Sequence, residues 1–187
     1  MIAWLPVFLS GVLSLSPATS GTDVSDASVP YGAALNEPLR RVRSLDPQII
    51  GLMRQGLKRS VTFADLVAAV NASDVIVYIQ RVNQLAPTIA GQLVIVPVPH
   101  EQRYVRIQII NHLSPEDTIA LIGHELRHAL EVAAAPEVRD QKGLMELYQR
   151  IGEPGGQVHS YDTRAAQNTG RRVRSELAGE EFVRGSL

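Results

Sequence analysis

Hydrophobic and polar positions divide the chain into stretches of different period. From Arg40 to Leu57 the apolar residues Ile49, Ile50, Leu52, Met53 and Leu57 fall at mixed helical spacing. "SVTFADLVAAV" then reads as a short helix capped by Ser60 or Thr62. Three β-rich runs follow. "DVIVYIQ" (74–80) is β-branched and aromatic, and "GQLVIVPV" (91–98) carries Pro97, which limits it to an edge or an end. "RYVRIQII" (103–110) sets Tyr104, Arg106 and Gln108 against Val105, Ile107 and Ile109, as in a strand with one wet face. Turn-forming residues between the runs predict an antiparallel meander. The last strand reads as half-buried, or as an edge able to pair with an extended peptide.

After the strands the period becomes helical. "LSPEDTIALIGHELRHALEVAAA" has Ser114 as N-cap, Pro115 at the first helical position, Glu116 and Asp117 in the first turn, and Pro136 beyond its end. At 100° per residue, Ile119, Ile122, Leu126, Leu130 and Ala133 form one stripe that should pack on the sheet. A shorter helix is expected from Gln141 to Ile151. Glu153-Pro154-Gly155-Gly156 breaks the chain, and a last helix is expected from about Tyr161 to Glu181. The order predicts an α+β fold: a small antiparallel sheet of about three strands with helices on one face.

The first 38 residues differ from this. "MIAWLPVFLSGVLSLSPATSG" is an apolar stretch of signal-peptide length with small residues before Gly21, although no Lys or Arg precedes it. Residues 1–20 are therefore expected to be a signal peptide, 21–38 a flexible linker, and 39–187 a single domain. The expected location is periplasmic or extracellular, or tethered to a membrane if residues 1–20 are not cleaved.

Composition narrows the chemistry. The chain has 187 residues and a net charge of −1, so no overall field recruits nucleic acid. The arginines of "TGRRVRSEL" (Arg171, Arg172 and Arg174) are followed closely by Glu176, Glu180 and Glu181, and read as a solvated helical face. There is no cysteine. Disulfides, thiolate metal sites and cysteine nucleophiles are thereby excluded, and any metal must be held by His, Asp or Glu.

The long helix contains His124-Glu125-Leu126-Arg127-His128, an H-E-x-x-H. Residues four apart share a helix face, so two imidazoles can converge on one ion on the side away from the apolar stripe. Glu125 is rotated about 100° from His124 and flanks the metal position as a general base without having to ligate. The motif, the preceding strands and the following helix resemble the zincin metallopeptidases, in element order over roughly residues 74–180. One departure is Arg127, at a position those families usually leave uncharged. The chain also resembles uncharacterised exported bacterial proteins that share "GHELxHALE" and a later "xTxAAxxTGRRVRxEL" helix.

A catalytic zinc needs three protein ligands and an open position. No further His follows His128 at metzincin spacing, so the third ligand must come from elsewhere, as in the Glu-zincins the chain resembles. Asp162 is the first candidate, at the start of the last helix on a face with Ala165, Ala166, Thr169, Val173 and Leu177. Small residues there allow close helix approach. His159, Glu131 and Glu146 are alternatives. Glu131 lies on the His face and would either ligate or hold a metal-bound imidazole. His100 and His112 read as loop residues. Tyr148, Tyr161 and Arg164 are candidate donors to a developing oxyanion. The expected function is a zinc-dependent hydrolase, a small exported metallopeptidase acting on a peptide or protein. The alternative is a non-catalytic metal-binding or protein-interaction module of the same fold.

Overall fold

A computed structural model describes residues 38–86, 89–97, 102–154 and 161–179. The expected signal peptide, all of the linker but Pro38, and His100 and His159 lie outside the described residues. Chain order is β1 (Val42–Arg43), α1 (Pro47–Arg59), α2 (Val61–Ala72), β2 (Val75–Val82), β3 (Gly91–Val96), β4 (Arg103–Ile110), α3 (Pro115–Ala133), α4 (Gln141–Ile151), β5 (Glu153–Pro154), β6 (Tyr161–Asp162) and α5 (Arg164–Ala178). The expected α+β class is what the chain adopts, with four strands in its main sheet.

Strand directions differ from the expected meander. The order is β1-β2-β4-β3, with β1 parallel to β2, β2 parallel to β4, and only β3 and β4 antiparallel. The eight residues between Val82 and Gly91 can span two strand spacings, about 10 Å. The chain therefore leaves a gap beside β2, which β4 fills. The strand RYVRIQII is consequently interior, paired on both sides, and cannot take up an extended peptide. β3 is an outer strand, opposite β1 at the other edge, as Pro97 at its end suggested.

The first helix starts at Pro47 rather than near Arg40. The residue before a proline avoids helical backbone, and Asp46 instead caps α1 by accepting from Gln48 N at 2.9 Å. Ser60 caps α2, accepting from Phe63 N at 3.0 Å.

One apolar layer joins sheet and helices. Val75, Val77, Ile79, Val105, Ile107 and Ile109 are buried towards α3, whose Ile119, Ile122, Leu126, Ala129 and Val132 are also buried. The buried stripe thus turns towards Ala129 and Val132, leaving Leu130 and Ala133 partly covered, because α5 packs along the other side of α3. That packing is close. A Cβ added at Gly123 would stand 3.0 Å from a Val173 methyl, and one at Gly170 would stand 3.2 Å from His124 Cβ. Among the described residues no helix is long and apolar enough to cross a membrane.

The C-terminal end of α3 is closed by a buried cation. Arg103 forks onto Asp74 at 2.8 and 2.7 Å, and also donates to the carbonyls of Val132, Ala133 and Ala135 at 2.6–3.1 Å. Positive charge suits the carbonyl end of a helix, and the planar fork matches a carboxylate.

Candidate metal centre

The N-cap at Ser114, whose Oγ accepts from Asp117 N at 3.1 Å, sets the phase of α3. His124 and His128 follow one turn apart, facing α4 and the start of α5. Their rings meet edge-on with centroids 4.8 Å apart, and their Nε2 atoms are separated by 3.2 Å. Asp162 Oδ1 lies 3.4 Å from His124 Nε2 and 3.3 Å from His128 Nε2. Three donor atoms from two elements thus form a nearly equilateral triangle. Bonds of 2.0–2.1 Å at tetrahedral angles separate neighbouring ligands by about 3.3 Å. The spacing of the three donors matches this, and the group could hold a metal ion.

Asp162 reaches this place from an extended segment, not from the helix it was expected to open. Tyr161–Asp162 pairs with Glu153–Pro154, and the cap of α5 is Thr163, whose hydroxyl accepts from Ala166 N at 3.1 Å. A threonine three residues before a small helix former is itself a cap signal, so this boundary was readable from the letters.

Glu131 does not join the triangle. Its Oε2 accepts from His128 Nδ1 at 2.8 Å and its Oε1 accepts from Thr163 Oγ1 at 2.7 Å. A carboxylate only accepts, so the His128 proton sits on Nδ1 and Nε2 is turned to the other ligands. Arg127 Nε stands 3.7 Å from Glu131 Oε1, an ion pair too long for a hydrogen bond.

Burial disfavours charge on His128, but its bonds to Asp162 and Glu131 outweigh this and push its pKa up to about 9. Burial and the neighbouring His128 hold His124 below the ordinary imidazole value. Burial works against the Asp162 and Glu131 carboxylates as well. Bonds and charge from the imidazoles prevail, and both lie below their ordinary values. Glu125 behaves differently. It is only 3% exposed, and burial pushes it up to about 7, with His128 pulling down and Asp162 pushing up by less.

Glu125 borders a cleft of about 510 Å³ that also touches both imidazoles and Asp162. Residues 89–94, along the outer side of β3, form one wall, while Met145, Tyr148 and Tyr161 contribute to the others. Tyr148 is held edge-on against His128 with centroids 5.1 Å apart, and its hydroxyl donates to His128 O at 3.3 Å. Burial pushes the Tyr148 phenol far above its ordinary value, so it remains a donor.

Two of the expected candidates lie elsewhere. Leu144 and Leu147 bury one face of α4 and turn Glu146 outward, where it pairs with Lys142 at 2.7 Å in solvent. Arg164 is exposed and pairs with Glu153 at 2.6 Å. The arginines of α5 are each engaged: Arg171 with Asn168, Arg172 with Glu176, and Arg174 with Asp117. Gly91, which shapes the site, was not singled out in the sequence, and Thr163 entered only as one letter of a resemblance motif. Comparison of the chain with known protein families, with curated proteins and with solved structures found no match.

Proposed function

We propose that the chain is a zinc-dependent hydrolase, a small metallopeptidase in which His124, His128 and Asp162 hold the ion and Glu125 is the general base. The observation that carries this reading is the donor triangle with sides of 3.2–3.4 Å, open to a cleft that a buried carboxylate also faces. Two imidazoles and one carboxylate, with no thiolate, form the donor set of a catalytic rather than a structural zinc. Zinc, when bound, brings water into the range of deprotonation near neutral pH and polarises a carbonyl.

The residues of the chain do the rest. Glu131 keeps the His128 ring in one orientation. Glu125 borders the same cleft, so its carboxylate takes a proton from water and its acid form returns that proton to the departing amine. Tyr161, on the cleft wall, is the donor placed to meet a developing oxyanion. The backbone of β3 pairs with β4 on one side only, and its other side faces the cleft. An extended peptide adds there as a further strand. Ile89, Leu121 and Met145 supply an apolar wall for one of its side chains.

Metal content by elemental mass spectrometry, paired with cleavage of quenched fluorescent peptides, tests this. About one zinc per chain is expected in the wild type and in Glu125→Gln, with loss in His128→Ala and Asp162→Ala. Peptide cleavage is expected only from the wild type. A wild type that stays metal-free after dialysis against zinc would sink the hydrolase and leave a non-catalytic interaction module.

A further inference from the structure

Gly91 opens β3, next to the general base, and its backbone does not need a glycine. Among the described glycines only Gly179 has a positive φ. Glycine inside a strand weakens it, so its presence at 91 calls for another cause. The space its Cβ would fill is taken. Glu125 Oε1 lies 2.8 Å from that point, and two Leu121 methyls lie 3.1 and 3.2 Å from it.

The neighbours differ in how far they can yield. The methyls end a flexible side chain on the cleft wall. Glu125 stands nearest, and at 3% exposure it can give way only towards the cleft it borders. The strand is also fixed, because Gly91 is in register with Ile109 and Ile110 N donates to Ala90 O at 3.0 Å.

We infer that Gly91 is a positioning residue: its missing side chain is the seat of the Glu125 carboxylate, and any larger residue there drives that carboxylate out of place. The seat follows from packing alone. Its catalytic consequence rests on the function proposed above.

The test is thermal unfolding of the full-length metal-free protein with Gly91→Ala introduced into three backgrounds: wild type, Glu125→Ala and Leu121→Ala. In the wild type and in Leu121→Ala, Gly91→Ala is expected to lower Tm by about 3–10 °C. In Glu125→Ala the same change should be neutral or raise Tm by about 2 °C, since the space is then open and alanine is the better strand residue. An equal drop with and without Glu125, or no drop in the wild type, overturns the seat.

Zinc-loaded protein supplies the second readout. Gly91→Ala should keep its zinc and its KM for a quenched fluorescent peptide while kcat falls about 10- to 100-fold. Unchanged kcat, or loss of the zinc, overturns the positioning role. A wild type that cleaves no peptide while the three-background test comes out as expected overturns the proposed hydrolase and upholds the seat.

Discussion

Thr163 Oγ1 donates to Glu131 Oε1 at 2.7 Å, and the other oxygen of that carboxylate accepts from His128 Nδ1 at 2.8 Å. The same hydroxyl caps α5. One side chain therefore ties the helix that bears both imidazoles to the residue following Asp162. Thr163→Val preserves shape but removes donor and acceptor together. It is expected to cost about 1–2 kcal/mol in denaturant unfolding. Zinc affinity, measured by chelator competition, should weaken roughly tenfold. Thr163→Ser should restore both, and zinc affinity unchanged in the valine variant would mean that Glu131 orients His128 unaided.

Zinc binding should be steeply pH-dependent. In the metal-free site His128 keeps its extra proton up to about pH 9, and an ion must displace it. Affinity is therefore expected to rise about tenfold per pH unit below 9 and to level off above it. Glu131→Gln keeps an acceptor but removes the negative charge that helps to raise His128, so its affinity curve should level off at lower pH. A flat wild-type curve would remove His128 from the ligand set.

The metal-free protein should lose stability as pH rises from neutrality to about 9, while His124, held below 6.5, opposes any gain on the acid side. Two groups are raised in the fold: Glu125 from 4.5 to about 7, and His128 from 6.5 to about 9. Stability linked to a raised group is complete below its unfolded pKa and is lost as pH rises through its folded pKa. These two groups therefore remove stability between roughly pH 4.5 and 9. Asp162 and Glu131 are lowered, and their contribution is lost as pH falls through their folded values. A series of Tm against pH checks this, and Glu125→Gln should flatten the part between about 4.5 and 7.

Arg103→Met should be among the most damaging substitutions far from the cleft. Arg103 is 3% exposed and satisfies the last carbonyls of α3 together with Asp74. Methionine fills similar space but leaves those acceptors without a donor, at about 2–4 kcal/mol. Arg103→Lys should recover only part of this, having no planar fork. Urea unfolding measures both, and a loss under 1 kcal/mol in the methionine variant would count against the capping role.

Glu176 joins α5 to the start of α2. It accepts from Ser60 Oγ, Thr62 N and Thr62 Oγ1 at 2.6–3.0 Å. Burial pushes its carboxyl up, but these bonds prevail and hold it below 4.5. The stabilisation is present above that value and is lost as acid titrates the folded protein. Glu176→Gln is expected to cost about 1–3 kcal/mol at pH 7 and much less at pH 3. Equal costs at the two pH values would show that charge plays no part.

Much of this was legible in the letters, and the reason is locality. Ser114, Pro115 and the period of the following residues define α3, and i,i+4 spacing within one helix puts His124 and His128 side by side whatever surrounds them. Leu130 and Ala133 pack against the core but are only partly buried, because which side of α3 is deepest depends on α5, a partner that α3 itself does not encode. Asp162 was chosen for the small residues beyond it, and the close approach of α3 and α5 at Gly170 is what they permit. Its backbone is nevertheless extended, held by Glu153 across a two-residue ladder.

The limits of local reading appear wherever contacts join distant parts of the chain. Glu146 has reasonable spacing from His128 and Arg164 lies close in sequence to Asp162, yet burial of Leu144 and Leu147 turns the first outward and Glu153 holds the second in solvent. β4 carries the alternation of a strand with one wet face, but nothing in it says that β2 will lie parallel on one side and β3 antiparallel on the other. Helix caps, helix period and the pairing of two histidines arise from interactions a few residues long, so the chain states them directly. Strand order, the third donor's approach and the glycine beneath Glu125 arise from groups 28 to 34 residues apart in sequence. Those were settled by the packing of the whole core, where excluded volume and burial choose among arrangements that local propensity leaves equal.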